Sequence, residues 1–130
     1  MKQLLAALTL ALMFSVVFVS HSRADWTKVS ESMSGDIRYI DYERIRKVDG
    51  YVYFWELSDY VKPDEYGTFS AKSYSQTDCK LFRHKALSFS TYKEPMGGGT
   101  GTPYTPPDKW DYPPPGSVTE IVLKVACSYK

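Results

Sequence analysis

Most of what catalysis draws on is scarce in this sequence. There are two histidines, and His21 falls in the N-terminal stretch set aside below, which leaves His84. Any Ser-His-Asp or Cys-His mechanism must therefore be built on His84, between Arg83 and Lys85, which both disfavour a protonated imidazole. The plain alternative is a strand histidine at or near the surface. There are two cysteines, Cys79 and Cys127, and a zinc site would have to draw on them. Neither charge sign is in excess, at +1 overall, so no strong field steers the chain toward nucleic acid or a membrane surface. The glycine run Met96-Gly97-Gly98-Gly99-Thr100-Gly101 lacks the Lys-Ser/Thr of a phosphate loop, and prolines rather than a helix follow it. Asp64-Glu65, and Asp108 with Asp111, lack the spacing of a calcium loop. No catalytic residue, cofactor or metal is assigned, and the expectation is a protein that is not an enzyme.

What is present begins at the N-terminus. Lys2 precedes an apolar run from Leu4 to Val19, and Ser22 and Ala24 supply small residues after it. This pattern reads as a secretory signal peptide spanning residues 1–24 and cleaved after Ala24, with an uncleaved membrane anchor as the runner-up. No cysteine follows the apolar run at the cleavage point, so that position offers nothing to lipidate. The expectation is an exported protein, periplasmic or secreted, without a membrane span after cleavage. Residues 25–130 then form a single domain, large enough for one modest core. Losing Lys2 and Arg23 from 16 basic side chains leaves 14 against 15 acidic ones. In an oxidising compartment two cysteines pair by default, and a reactive thiol pair is the lesser reading. A Cys79–Cys127 bridge would close a loop of 48 residues, worth about 4 kcal/mol by chain entropy.

From Trp26 to Tyr92 short β-branched and aromatic runs alternate with turn signals, which implies an antiparallel sheet. Trp26–Ser30 and Ile37–Tyr42 read as strands, and Glu43–Lys47 as a short helical turn. Asp49-Gly50 is a hairpin signal. The run Tyr51-Val52-Tyr53-Phe54-Trp55-Glu56-Leu57 is apolar on both faces at first and so belongs in the middle of the sheet. Thr68–Thr77 is expected as a half-exposed strand. Asp78 to Tyr92 reads as one long stretch in which Arg83 and Lys85 interrupt the apolar parity, a sign of a bend or bulge, or of a strand whose middle leaves the core.

Residues 93–116 are rich in glycine and proline and predict a long loop without regular structure, pinned to the sheet by Trp110. Lys80, Arg83, His84 and Lys85 form the one basic cluster, with Leu81 and Phe82 interleaved. As a function this is a binding surface centred on Lys80, Arg83 and Lys85, and otherwise a solvated face. Eleven tyrosines suit either interfaces or ordinary strands.

The last segment has two readings. Ser117-Val118-Thr119-Glu120 is a capping box, and Val118, Ile121, Val122, Val125 and Ala126 recur at helical spacing. Yet Ile121, Leu123, Val125, Cys127 and Tyr129 also alternate as a strand would.

Taken in order, Tyr39-Ile40-Asp41 with Ile45, the strand Val52–Leu57, Asp78-Cys79 leading to Tyr92, Met96–Gly99, Trp110, and Pro115-Gly116-Ser117 ending at Cys127 resemble the surface-adhesin protein E-like domain family of exported bacterial proteins. The resemblance covers nearly all of residues 25–130. It implies an α+β fold: an antiparallel sheet of about six strands, with a C-terminal helix packed on one face and tethered by the disulfide. The founding member looks like an outer-surface lipoprotein binding host matrix and plasma proteins. By resemblance this chain is an exported, non-enzymatic binding domain recognising a host or extracellular protein. The rival is a soluble periplasmic structural or assembly partner. The resemblance tips the last segment to helix, which raises a difficulty. Cys127 lies about 180° around a helix from Val118, so either two sides of the helix are buried, with Leu123 and Cys127 on the second, or it ends before Cys127.

Overall fold

The computed structural model describes residues 24–130, so the signal peptide expected at residues 1–24 lies outside the described residues except for Ala24. The strands are β1 (Trp26–Glu31), β2 (Ile37–Asp41), β3 (Arg46–Val48), β4 (Tyr51–Asp59), β5 (Ser70–Asp78), β6 (Arg83–Tyr92) and β7 (Thr102–Tyr104), and α1 (Val118–Ser128) follows. They form one antiparallel sheet in the order β1-β2-β4-β5-β6-β7. β3 pairs with the start of β4, on the edge whose later part pairs with β2. A 3-10 turn at Tyr42–Arg44 separates β2 from β3, where the sequence predicts a helical turn one residue later. Asp49 and Gly50 both have positive φ, 51° and 83°, the primed-turn geometry that the twist of a two-residue hairpin requires.

β4 is central, as its composition implies. Its even positions Val52 and Phe54 are buried and meet Ile40, Val122 and Ala126 in the core. The helix lies across this face over β1, β2 and β4. Ser117 caps it by accepting the Glu120 amide at 3.1 Å, while the Glu120 carboxylate reaches back to the Gly116 amide rather than to Ser117. The strand reading of this segment fails because alternation would expose half of Val122, Leu123 and Ala126, all of which the helix buries. Cys127 is in the last turn of α1 and is bonded to Cys79, with Cα atoms 5.7 Å apart. Of the two ways out of the geometric difficulty, the helix takes the first and continues through Cys127 with Leu123 buried.

Three local expectations are corrected. β5 is not half-exposed: paired on both edges, it buries Ser70, Ala71, Ser75, Thr77 and Asp78, and its small side chains let neighbouring elements approach. The stretch Asp78–Tyr92 is not one strand. Asp78 Oδ1 accepts the Lys80 and Leu81 amides, closing a turn that ends with Phe82 at φ 52°, and β6 starts only at Arg83. The bulge falls at Leu87, opposite the Tyr74/Ser75 step, instead of at Arg83 or Lys85. Residues 93–116 are not structureless. They hold a 3-10 turn, Pro95–Gly97, and the edge strand β7, where Pro103 is tolerated on the sheet's rim.

The face away from the helix, called the open face, is covered at two ends. At one end the Pro95–Gly97 turn sits over Leu57 and Lys72. A Cβ on Gly97 would lie 2.4 Å from Lys72 Cε, so the close approach needs glycine. At the other end lies the Trp110 segment.

Candidate functional site

Residues directly opposite in an antiparallel pair share a face. Arg83 stands opposite Asp78 and Asp78 opposite Tyr51, while Lys85 stands opposite Gln76 and Gln76 opposite Tyr53. Arg83, Lys85, Tyr51 and Tyr53 are therefore neighbours on the open face. Lys80 is not among them: it sits in the turn after β5, exposed. Of the three residues singled out in the sequence, the fold brings two together and leaves the third at the rim.

The proline-rich loop returns onto these two. Its Asp111 exchanges both backbone hydrogen bonds with His84, each 2.9 Å long. This lays Trp110 over Tyr51, with ring centroids 5.9 Å apart and planes 21° from parallel. The Arg83 guanidinium lies 4.4 Å from the Trp110 ring centroid and the Lys85 ammonium 4.6 Å. Trp110 is the anchor its setting implies, and it lands on the basic strand. Sequence reasoning missed that pairing, although Asp108, two residues before Trp110, complements Lys85 and was a usable signal.

Each cation is also paired. Arg83 Nε donates to Asp78 Oδ2 at 3.1 Å, and Lys85 Nζ lies 2.9 Å from Asp108 Oδ1. The Leu81 amide first, then the Arg83 guanidinium and the Lys80 amide, hold the Asp78 carboxyl below the ordinary carboxylate range against the opposing effect of desolvation. Arg83 and Lys85 are 24% and 19% exposed at the side chain, so the patch is fixed in place more than it is highly charged.

The aromatic row continues along the face. Tyr74 lies 6.2 Å from Tyr53 and 5.0 Å from Trp55, and Trp55 and Tyr74 line a cleft of about 520 Å³ with Arg44 and Arg46. The common parity of Tyr51, Tyr53 and Trp55 was legible, but the apolar reading of both faces of β4 hid it. His84 is half-buried in β6, opposite Thr77, its backbone tied to Asp111. Among the described residues no three His, Cys, Asp or Glu side chains gather as a metal set, and no helix is long and apolar enough to cross a membrane.

The helix face has its own opening, because α1 does not reach β6. A cleft of about 730 Å³ there is lined by Tyr66, Phe89, Tyr104, Asp64 and Lys93 among others. The Thr68 amide, then the Tyr66 amide and the Lys93 charge, lower the Asp64 carboxyl against desolvation. These two clefts lie on opposite faces; Arg83 and Lys85 share the open face with the first but line neither.

Fold and site together define a disulfide-tethered sheet-and-helix domain that presents a packed aromatic and basic strip. Its family follows from comparison: the sequence profile of the surface-adhesin protein E family matches residues 26–128, and the chain belongs to that family. Two solved structures of Haemophilus influenzae protein E share its fold at 18% identity, with TM-scores of 0.63 and 0.61. Each covers 84% of this chain, which in turn spans 92% and 89% of theirs. Among curated protein sequences nothing matches it. The family is one of surface adhesins, and the chain is adhesin-like in that sense.

Proposed function

We propose that this protein is an exported, non-enzymatic binding domain that recognises a host or extracellular protein through the open face around Lys80, Arg83 and Lys85. One observation carries the reading: Trp110, Tyr51 and Arg83 are stacked into a single half-exposed cluster. Tyr, Trp and Arg are the side chains that dominate binding energy at protein interfaces. Their mutual packing means little rotamer freedom is left to lose on docking. Lys80 at the rim is the freest cation of the three and suits a partner presenting carboxylates, affecting association rate more than affinity.

Binding of the purified protein to immobilised matrix and plasma proteins tests this. Replacing Lys80, Arg83 and Lys85 by Glu should abolish capture by whichever ligand is found. Capture that survives the triple change removes this surface, and the absence of any capture removes the adhesin reading. A second reading, a soluble periplasmic assembly partner, draws support from the disulfide, which takes both cysteines and leaves no thiol to carry a lipid. Cell fractionation separates the two: periplasmic recovery without surface exposure excludes direct contact with a host.

A further inference from the structure

Asp41 closes β2 with its side chain on the open face, and it is 1% exposed. Oδ1 accepts the Glu43 amide at 3.2 Å. Oδ2 is buried and accepts no hydrogen bond. Arg44 Nε stands 3.3 Å from it, near enough to share charge but not aligned to donate, and Arg44 is itself half in solvent. A buried carboxylate oxygen without a donor is costly and calls for a cation able to hydrogen-bond it. Space for one exists: Oδ2 belongs to a residue lining a cavity of about 240 Å³, with Ala24, Trp26, Arg44, Lys72 and Tyr92 also in its wall.

Trp26 stands directly opposite Asp41 in the β1–β2 ladder. Ala24 and Trp26 both line the cavity, so the backbone nitrogen of Asp25 lies between two wall residues. That nitrogen belongs to the peptide bond that cleavage after Ala24 would break. Hydrolysis of the bond leaves a carboxylate on Ala24, which departs, and an ammonium with three donors on Asp25.

We propose that Asp41 is the receptor for the Asp25 α-ammonium, so that removal of the N-terminal segment completes an ion pair on the open face. This rests on reading residues 1–24 as a cleaved signal. The other charges facing the cavity are Arg44, which leans on Asp41 from the solvent side, and Lys72, whose ammonium lies 4.9 Å from the Tyr92 ring centroid. Neither fills the open hydrogen-bonding position of Oδ2.

The test uses the full chain expressed for export and recovered processed. N-terminal sequencing gives the first residue. The α-amine is then acetylated selectively near pH 7, where lysines are protonated and it is in part free, and thermal unfolding is compared with and without acetylation in the wild type and in Asp41→Asn. The expected result is a first residue of Asp25 and a fall in Tm of roughly 5 °C on acetylation of the wild type, with little change in Asp41→Asn. If Asp41→Asn does not fold, titration of the wild-type α-amine decides: a midpoint above the ordinary range of about 7.7–8.0 supports the pair, and one within it overturns it. Equal sensitivity of the two proteins to acetylation, or none, overturns the pairing while leaving the cleavage reading intact. A first residue other than Asp25 overturns both.

Discussion

Trp110 and Tyr51 stack across the boundary between the proline-rich loop and the central strand, with ring centroids 5.9 Å apart and ring planes 21° from parallel.

That single stack joins the proline-rich loop to the first residue of β4. Replacing Trp110 by Ala removes the stack and both cation–π contacts while leaving the Asp111–His84 backbone pair in place. The expected loss is about 2 kcal/mol, less than for a fully buried tryptophan because Trp110 is only half-buried. Urea unfolding followed by circular dichroism measures it. A loss below a few tenths of a kcal/mol would mean that the loop is held by its backbone alone.

The disulfide is the second restraint on the C-terminal half. Cys79 and Cys127 are 48 positions apart, and opening that loop should lower stability by about 4 kcal/mol on the chain-entropy account. Cys79→Ser, Cys127→Ser and the double variant should all fall by the same amount, since each breaks the same bond. Reductant should lower the wild type alone. Denaturant midpoints with and without reductant check this, and a double variant much worse than either single would show that the thiols pack independently of the bond.

The central strand, the hairpin at Asp49-Gly50, the cap at Ser117 and the cysteine pairing were legible because each rests on local chemistry: composition, turn residues, or an inventory of two. The burial of β5 was not legible. Thr68–Thr77 reads as half-exposed because most of its residues are polar, and Ser75 and Thr77 are buried because β4 and β6 flank the strand, which is a tertiary fact. β7 was hidden by Pro103, which is compatible with a strand only at a sheet edge. At the candidate site, the basic residues were visible as a cluster, but their coverage by Trp110 depends on where a long loop lands, and no short-range pattern encodes that.

Asp78 gives the fold a defined acid sensitivity. Its carboxyl is held below the ordinary range, first by the Leu81 amide and then by Arg83. A group with a lowered folded pKa stabilises above its unfolded value, about 3.9, and that contribution is lost as pH falls through the folded value. Asp78→Asn should therefore be less stable than the wild type at neutral pH, with the gap closing below about pH 4. Stability measured across pH 2 to 7, a range chosen around that reference value, checks the sign. A gap that stayed constant to the acid end would place the effect in side-chain shape and not in charge.

Thr77 makes the opposite kind of prediction, a gain. It is 0% exposed, lies opposite Val52, and its hydroxyl has no hydrogen-bond partner. Valine keeps the branched shape, removes the stranded oxygen and places a methyl group against the core beside Phe54. Since an unsatisfied buried hydroxyl costs about 1–3 kcal/mol, Thr77→Val should raise stability by roughly 1 kcal/mol, seen as a higher denaturant midpoint at an unchanged slope. Thr77→Ser keeps the hydroxyl and gives up the methyl, so it should lower the midpoint. If valine lowers it as well, the Thr77 hydroxyl has a partner in solution, most simply a buried water, and the polar lining of β5 is satisfied rather than strained.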